Sequence, residues 1–199
     1  MTRRPELIPA LLACIVLLVG CGGGGRGSRL TSTTAATSAA DHDVKQLACH
    51  ESIGRSRPGA SGLRVVLGVV ALPIAPRYGA LQTARTGMHG RLRLFAKTGL
   101  LIKPGATFEL VVPAALRRRM ALGWGNADEG APSGRMIVGG CGRGETTGAK
   151  WLAYAGGYYV SRPACLPLVV VAARRRRTVR IGVGAPCPGQ RPPRGPTQT

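Results

Sequence analysis

The feature that most limits what this chain can fold into is its hydrophobic period. Between Val65 and Val183 a period of two dominates the apolar side chains, the spacing of strands rather than helices. Thr107 to Val112 places Phe108, Leu110 and Val112 on one face, with Thr107 and Glu109 on the other. Thr178 to Val183 repeats the pattern with Val179, Ile181 and Val183 inward. Leu92, Leu94 and Ala96 share a face, as do Met120, Leu122 and Trp124, and Met136 and Val138. Val65 to Leu72 and Leu166 to Ala172 are near-continuous Val-rich runs, which suit strands at a sheet centre. Turn chemistry punctuates these runs. Lys103-Pro104-Gly105 has Pro and Gly at the two central positions of a turn, and predicts a hairpin of Leu100–Ile102 with Thr107–Val112. Gly139-Gly140, Gly156-Gly157 and Gly182-x-Gly184 mark bulges or strand ends. Many short strands with Gly/Pro turns predict an all-β fold, an immunoglobulin-like β-sandwich. One segment breaks the period. Pro113 to Arg119 begins with Pro and continues in good helix formers, which predicts one short crossover helix between the sheets.

The N-terminus reads as an address rather than as part of that fold. Arg3 and Arg4 precede a 13-residue, almost wholly apolar run from Leu7 to Val19. A bilayer span needs about 20 such residues, so this run fits a signal peptide over residues 1–20. Leu18-Val19-Gly20-Cys21 resembles the bacterial lipobox, whose Cys is lipidated and becomes the mature N-terminus. Leu11-Leu12-Ala13-Cys14 is a competing match, but cleavage there leaves too short an apolar run. An uncleaved membrane anchor is the other reading. Glu6 disfavours the twin-arginine export route that Arg3-Arg4 suggests. Residues 21–48 then form a lipidated Cys and a flexible Gly/Ser/Thr/Ala tether, with a coil reach on the order of 30 Å. The expected localisation is the extracytoplasmic face of the cell membrane. Residues 49–189 make one domain, and the Pro-rich residues 190–199 read as a disordered tail.

Export sets the redox state. Cys14 leaves with the leader and Cys21 takes lipid, so Cys49, Cys141, Cys165 and Cys187 remain. Four thiols in an oxidising compartment imply two disulfides. Zinc is disfavoured because the spacings are wide and no C-x-x-C occurs. Three connectivities are open. The preferred one joins the domain ends through Cys49–Cys187 and closes the Trp151 segment through Cys141–Cys165.

Net charge is +20, falling to +19 when a leader ending at Gly20 removes two arginines and one glutamate. Such a surface favours anionic partners, here anionic lipid or cell-wall polymer; an exported protein has no nucleic acid to meet. Arg outnumbers Lys 24 to 4, the bias of a GC-rich genome, which accounts for much of the charge without any binding role. Two clusters stand out. Arg117, Arg118 and Arg119 lie at the predicted crossover. Arg174, Arg175, Arg176 and Arg177 lie at a predicted hairpin tip. Both read either as solvated loops or as anionic-surface contacts.

No catalytic constellation is visible, so the chain reads as non-enzymatic. G-x-S-x-G and H-E-x-x-H are absent. Asp41-His42-Asp43 lies in the tether, and adjacent side chains rarely converge on one ion. Asp128-Glu129 sits in a Gly/Pro-rich loop, where glycoside hydrolysis would need two opposed carboxylates. His89 stands alone. No cofactor or metal is implied. The remaining feature is aromatic: Trp124, Trp151, Tyr154, Tyr158 and Tyr159. Exposed, they would stack on sugar rings. Buried, they would fill the sandwich core. Tyr158 and Tyr159 must point to opposite faces of a strand, which predicts that at least one faces solvent.

Several landmarks carry a resemblance: Phe95-Ala96-Lys97-x-Gly99-Leu100, Trp124-Gly125-Asn126, Gly140-Cys141, Trp151-x-x-Tyr154-Ala155-Gly156-Gly157-Tyr158-Tyr159, Pro163-Ala164-Cys165-x-Pro167-Leu168 and Gly182-x-Gly184-x-x-Cys187. Across roughly residues 60–187 the chain resembles a group of uncharacterised secreted or lipid-anchored proteins of high-GC Gram-positive bacteria. The resemblance implies a compact, disulfide-bonded extracytoplasmic domain and transfers no site residue. The reading that results is a membrane-anchored lipoprotein acting as an envelope binding or structural module. An extracytoplasmic hydrolase or carbohydrate-binding protein using the Trp/Tyr cluster is the alternative.

Overall fold

Alternating side chains can bury one face only if strands pair, and among the described residues fourteen strands do so. The structure is a computed structural model and describes residues 44–87, 90–125, 131–142 and 150–195. Cys21 and the leader, Asp41-His42-Asp43, His89, Asp128-Glu129 and Glu145 lie outside the described residues. The strands are β1 (Val44–Leu47), β2 (Gly54–Ser56), β3 (Arg64–Val66), β4 (Val70–Leu72), β5 (Ala84–Arg85), β6 (Leu94–Lys97) and β7 (Leu100–Ile102). They continue with β8 (Thr107–Val111), β9 (Met120–Trp124), β10 (Arg135–Gly139), β11 (Trp151–Tyr154), β12 (Gly156–Val160), β13 (Ala164–Ala172) and β14 (Arg175–Val183).

Three sheets result, ordered β1-β10-β8-β13-β14, β2-β11-β7-β4-β3 and β5-β6-β12-β9. All pairs are antiparallel except β1 with β10. Each sheet turns one face to a common core. The first supplies Phe108, Leu110, Met136 and Ile181, the second Leu72, Leu100 and Tyr154, the third Leu122, Trp124 and Tyr158. The expected all-β, sandwich-like structure is present.

The second and third sheets are two halves of one bent ribbon. Leu100 faces Tyr154 on one side of the bend and Lys97 faces Gly157 on the other, three residues further on along each strand. The Thr98 amide donates to the Gly156 carbonyl at 2.8 Å, so pairing runs through the corner unbroken. Gly156 and Gly157 permit the corner. A Cβ on Gly156 would strike the Gly123 carbonyl, and one on Gly157 the Ala96 carbonyl. Gly156 also sits at φ +146°, a region that side chains disfavour.

Four sequence expectations change in three dimensions. The Lys103-Pro104-Gly105 turn forms, with Gly105 at φ +74°, but it carries the chain from one sheet to another instead of closing a hairpin. The Lys103 amide donates to the Val69 carbonyl and the Gly105 amide to the Cys141 carbonyl, so the turn is held by both neighbours. The Val65–Leu72 run is two strands, because Leu67 and Gly68 take φ +49° and +75° and fold it into a tight hairpin. The crossover helix is not seen. A single 3-10 turn, Ala114–Leu116, makes the step from β8 to β9, since Val112 and Arg119 at its two ends are already bonded to Gly134 and Ser161 of neighbouring segments. The packed body also exceeds residues 49–189. Val44–Leu47, expected in the tether, pairs as β1. Gln190, expected in the tail, is buried; it accepts from the Cys187 amide and donates to the Tyr78 carbonyl, while Ala80 donates to the Arg191 carbonyl.

Both disulfides are present, with a different connectivity: Cys49–Cys141 and Cys165–Cys187 replace Cys49–Cys187 and Cys141–Cys165. Strand pairing decides this. β1 and β10 run parallel, with Leu47 opposite Val138, so Cys49 and Cys141 leave the sheet at the same end. Cys165 is opposite Gly182 in the β13–β14 pair, and the turn held by Gln190 folds Cys187 back onto it.

Candidate functional site

The two arginine clusters are separated by the fold. β13 and β14 turn at Ala173-Arg174, and Arg175, Arg176 and Arg177 already belong to β14. The predicted hairpin tip is thus Arg174 alone, although all four side chains are exposed. Arg175 Nη2 donates to the Leu67 carbonyl at 3.2 Å and ties this edge to the β3–β4 hairpin. Below it, a groove of about 630 Å³ runs between β3 and β14, with Arg64, Arg177 and Arg180 on its walls.

Arg117–Arg119 lie at the opposite end. Arg119 lies beside Ser161, which precedes β13, whereas the β13–β14 tip follows it. The nine residues of β13 put roughly 26 Å between the two ends. Register builds a cleft here that linear spacing does not announce. Leu94, Val160 and Met120 stand in one row across β6, β12 and β9. One step beyond that row come Arg93, Ser161 and Arg119. The Ser161 amide donates to the Arg119 carbonyl at 3.1 Å. Arg91, Arg118 and Ala115 complete a cleft of about 430 Å³ with no acidic residue in its lining. Arg91 and Arg93 were not singled out as site residues. Their signal is the Arg91-Leu92-Arg93-Leu94 alternation, which puts both guanidiniums on one side of the chain.

Among the described residues the carboxylates are Glu51 and Glu109, and neither lines the cleft. Glu109 receives Arg135 in a two-pronged pair at 3.0 and 2.8 Å, which raises the Arg135 guanidinium above its ordinary value. Glu51 is buried. It accepts from the Ala48 amide at 2.8 Å, and its second oxygen lies 3.8 Å from Lys45 Nζ. A third basic groove, about 710 Å³, brings Arg77, Lys97, Arg191 and Arg194 around Tyr78.

The aromatic residues do not form a sugar-stacking platform. Trp124, Tyr154 and Tyr158 are 0% exposed. The Trp124 ring meets Tyr158 edge-on at 4.9 Å, and its Nε1 donates to the Thr98 carbonyl at 3.0 Å, pinning the ribbon corner. Tyr159 points to the other face, as the period requires, but Phe95 covers it at 4.7 Å and leaves it 9% exposed. The expected solvent-facing tyrosine is therefore absent from this pair. Trp151 alone stays partly exposed, packed beside Leu63, Ala71 and Leu101 on the outer face of the second sheet. Burial raises the phenols of Tyr154, Tyr158 and Tyr159, with the Glu51 charge adding to the shift at Tyr154.

Comparison with known proteins returns no match to any family model, curated protein or solved structure.

Proposed function

We propose that the chain is a lipoprotein anchored through Cys21 to the extracytoplasmic face of the membrane, its domain serving as a non-enzymatic envelope binding module. The observation that carries this reading is the placement of charge. The arginines converge on surface clefts while the aromatic side chains that would serve a carbohydrate site go to the core. Anionic lipid or wall polymer suits such a surface; a sugar-stacking or hydrolytic use of the Trp/Tyr cluster loses its main support. The buried Trp124 also favours the finer reading of the fold as an immunoglobulin-like sandwich, and the two disulfides fit the resemblance to secreted or lipid-anchored proteins of high-GC Gram-positive bacteria. The anchor is tested by feeding cells labelled palmitate. The natural chain is expected to take up label and the Cys21→Ala variant to lose it; equal labelling of both would refute the assignment.

A further inference from the structure

We propose that the cleft formed by Arg91, Arg93, Arg118, Arg119 and Ser161 binds the phosphodiester headgroup of an anionic phospholipid. The inference rests on the membrane-anchored reading above, and names its partner and site. Three chain segments meet here: the approach to β6, the 3-10 step before β9 and the turn after β12. Neighbouring strands lie about 4.8 Å apart, so the chain positions of Arg93 and Arg119 flank Ser161 at roughly that distance on each side. Guanidiniums set in this way repel one another when the cleft is empty and are favoured by a shared anion. Each presents a planar fork of N–H donors that matches phosphate oxygens in pairs, and the Ser161 hydroxyl adds a neutral donor. The space is that of a headgroup rather than of a bare ion.

Position selects lipid over other phosphodiesters. Val44 is opposite Arg135, and Arg135 is opposite Val111, the last residue of β8 before the 3-10 step. β1 starts level with Val111 and runs away from the 3-10 step, so the described chain begins on the cleft's side of this sheet. The residues before Val44 in sequence are those that join it to Cys21. The same row continues through Val169 to Thr178, and Arg177 to Arg174 lie beyond it, on the side away from the 3-10 step.

The test uses the full chain carrying Cys21→Ser, so that no acyl chain of its own competes. It is titrated with monomeric dihexanoylphosphatidylglycerol, dihexanoylphosphatidylcholine, inorganic phosphate and a glycerol phosphate oligomer. Phosphatidylglycerol is expected to bind and phosphatidylcholine not to. Arg93→Gln with Arg119→Gln should weaken binding roughly 30-fold, at about 1 kcal/mol for each basic residue. Arg118→Gln alone, at an exposed position outside any strand, should weaken it roughly 5-fold and serves if the double variant fails to fold. Replacing Arg174 to Arg177 by Gln should leave binding unchanged. Equal binding of phosphatidylcholine would overturn the proposal. So would inorganic phosphate as tight as phosphatidylglycerol, which marks a free-phosphate site, or a tighter glycerol phosphate oligomer, which marks wall polymer. Loss of binding in the Arg174–Arg177 variant would overturn it too. Palmitate labelling separates the two claims. Binding without labelling removes the anchor and keeps the cleft; labelling without binding removes the cleft and keeps the anchor.

Discussion

Trp124 shows what a single residue does in this core. Its ring fills the space behind the ribbon corner, and its indole N–H satisfies the Thr98 carbonyl that the bend would otherwise leave unpaired. Trp124→Phe should cost about 3 kcal/mol, since it combines a lost hydrogen bond with lost volume. Gly157→Ala should cost a similar ~3 kcal/mol from overpacking against Ala96. Urea unfolding measures both, and a loss below 1 kcal/mol in either would mean that the corner relaxes freely. The buried tyrosines make a different prediction. The hydroxyls of Tyr154 and Tyr158 find no hydrogen-bond partner among the described residues. Tyr158→Phe should therefore be neutral or stabilising, by up to about 1 kcal/mol. A phenol whose pKa is raised on folding contributes stability that is fully present below its unfolded value, near 10, and is lost as pH rises through the folded value. Thermal stability should fall above about pH 10, with ionisation of Tyr154, Tyr158 and Tyr159 followed at 295 nm coinciding with unfolding. Ionisation of all three in the still-folded chain would show that burial is not what shifts them.

At the scale of elements, the alternating strands were legible in the sequence and their partners were not. Phe108, Leu110 and Val112 turn inward as the period requires. Yet Leu100–Ile102 and Thr107–Val111, adjacent in sequence, belong to different sheets. A local turn motif reports that the chain reverses; it does not report which strand waits on the far side. Leu67 gives another case. A Leu at φ +49° is not a turn signal, and its partial burial against the core offsets the backbone cost. The disulfides follow the same logic, because the parallel pairing of β1 with β10, which no local motif announces, is what brings Cys49 to Cys141. Non-reducing peptide maps should contain Cys49 linked to Cys141 and Cys165 linked to Cys187, and mixed pairs would refute this register. The Cys49–Cys141 bridge spans 92 residues and the other 22. Chain entropy then makes the first worth about 4.5 kcal/mol and the second about 3.5, so Cys49→Ser/Cys141→Ser should lower the urea midpoint more than Cys165→Ser/Cys187→Ser.

For the whole molecule, the two arginine clusters lie apart rather than on one adhesive face, and a third basic groove lies around Tyr78. The tip arginines extend from an exposed turn and an edge strand, and Lys, Arg and twist at such an edge discourage pairing with other chains. Replacing Arg174 to Arg177 with Ser should leave thermal stability within about 0.5 kcal/mol, because exposed side chains away from packed features contribute little. A larger drop would assign the hydrogen bond from Arg175 to Leu67 a structural role. Adsorption of the full chain to any anionic surface should weaken with salt, since exposed charges are screened beyond about 8 Å at physiological ionic strength.

What the sequence by itself determined was set by local chemistry. Side-chain alternation dictates strands, the four cysteines from Cys49 to Cys187 suit two bridges, and the proposed address rests on an apolar run ending in Leu18-Val19-Gly20-Cys21. Only the tertiary structure decided which residues meet. Arg93, Ser161 and Arg119 are 26 to 68 positions apart, and nothing in their neighbours marks them as a set. They become one cleft because Leu94, Val160 and Met120 align in register, and register is settled by the burial of Tyr158, Leu122 and Ala96 in a shared core.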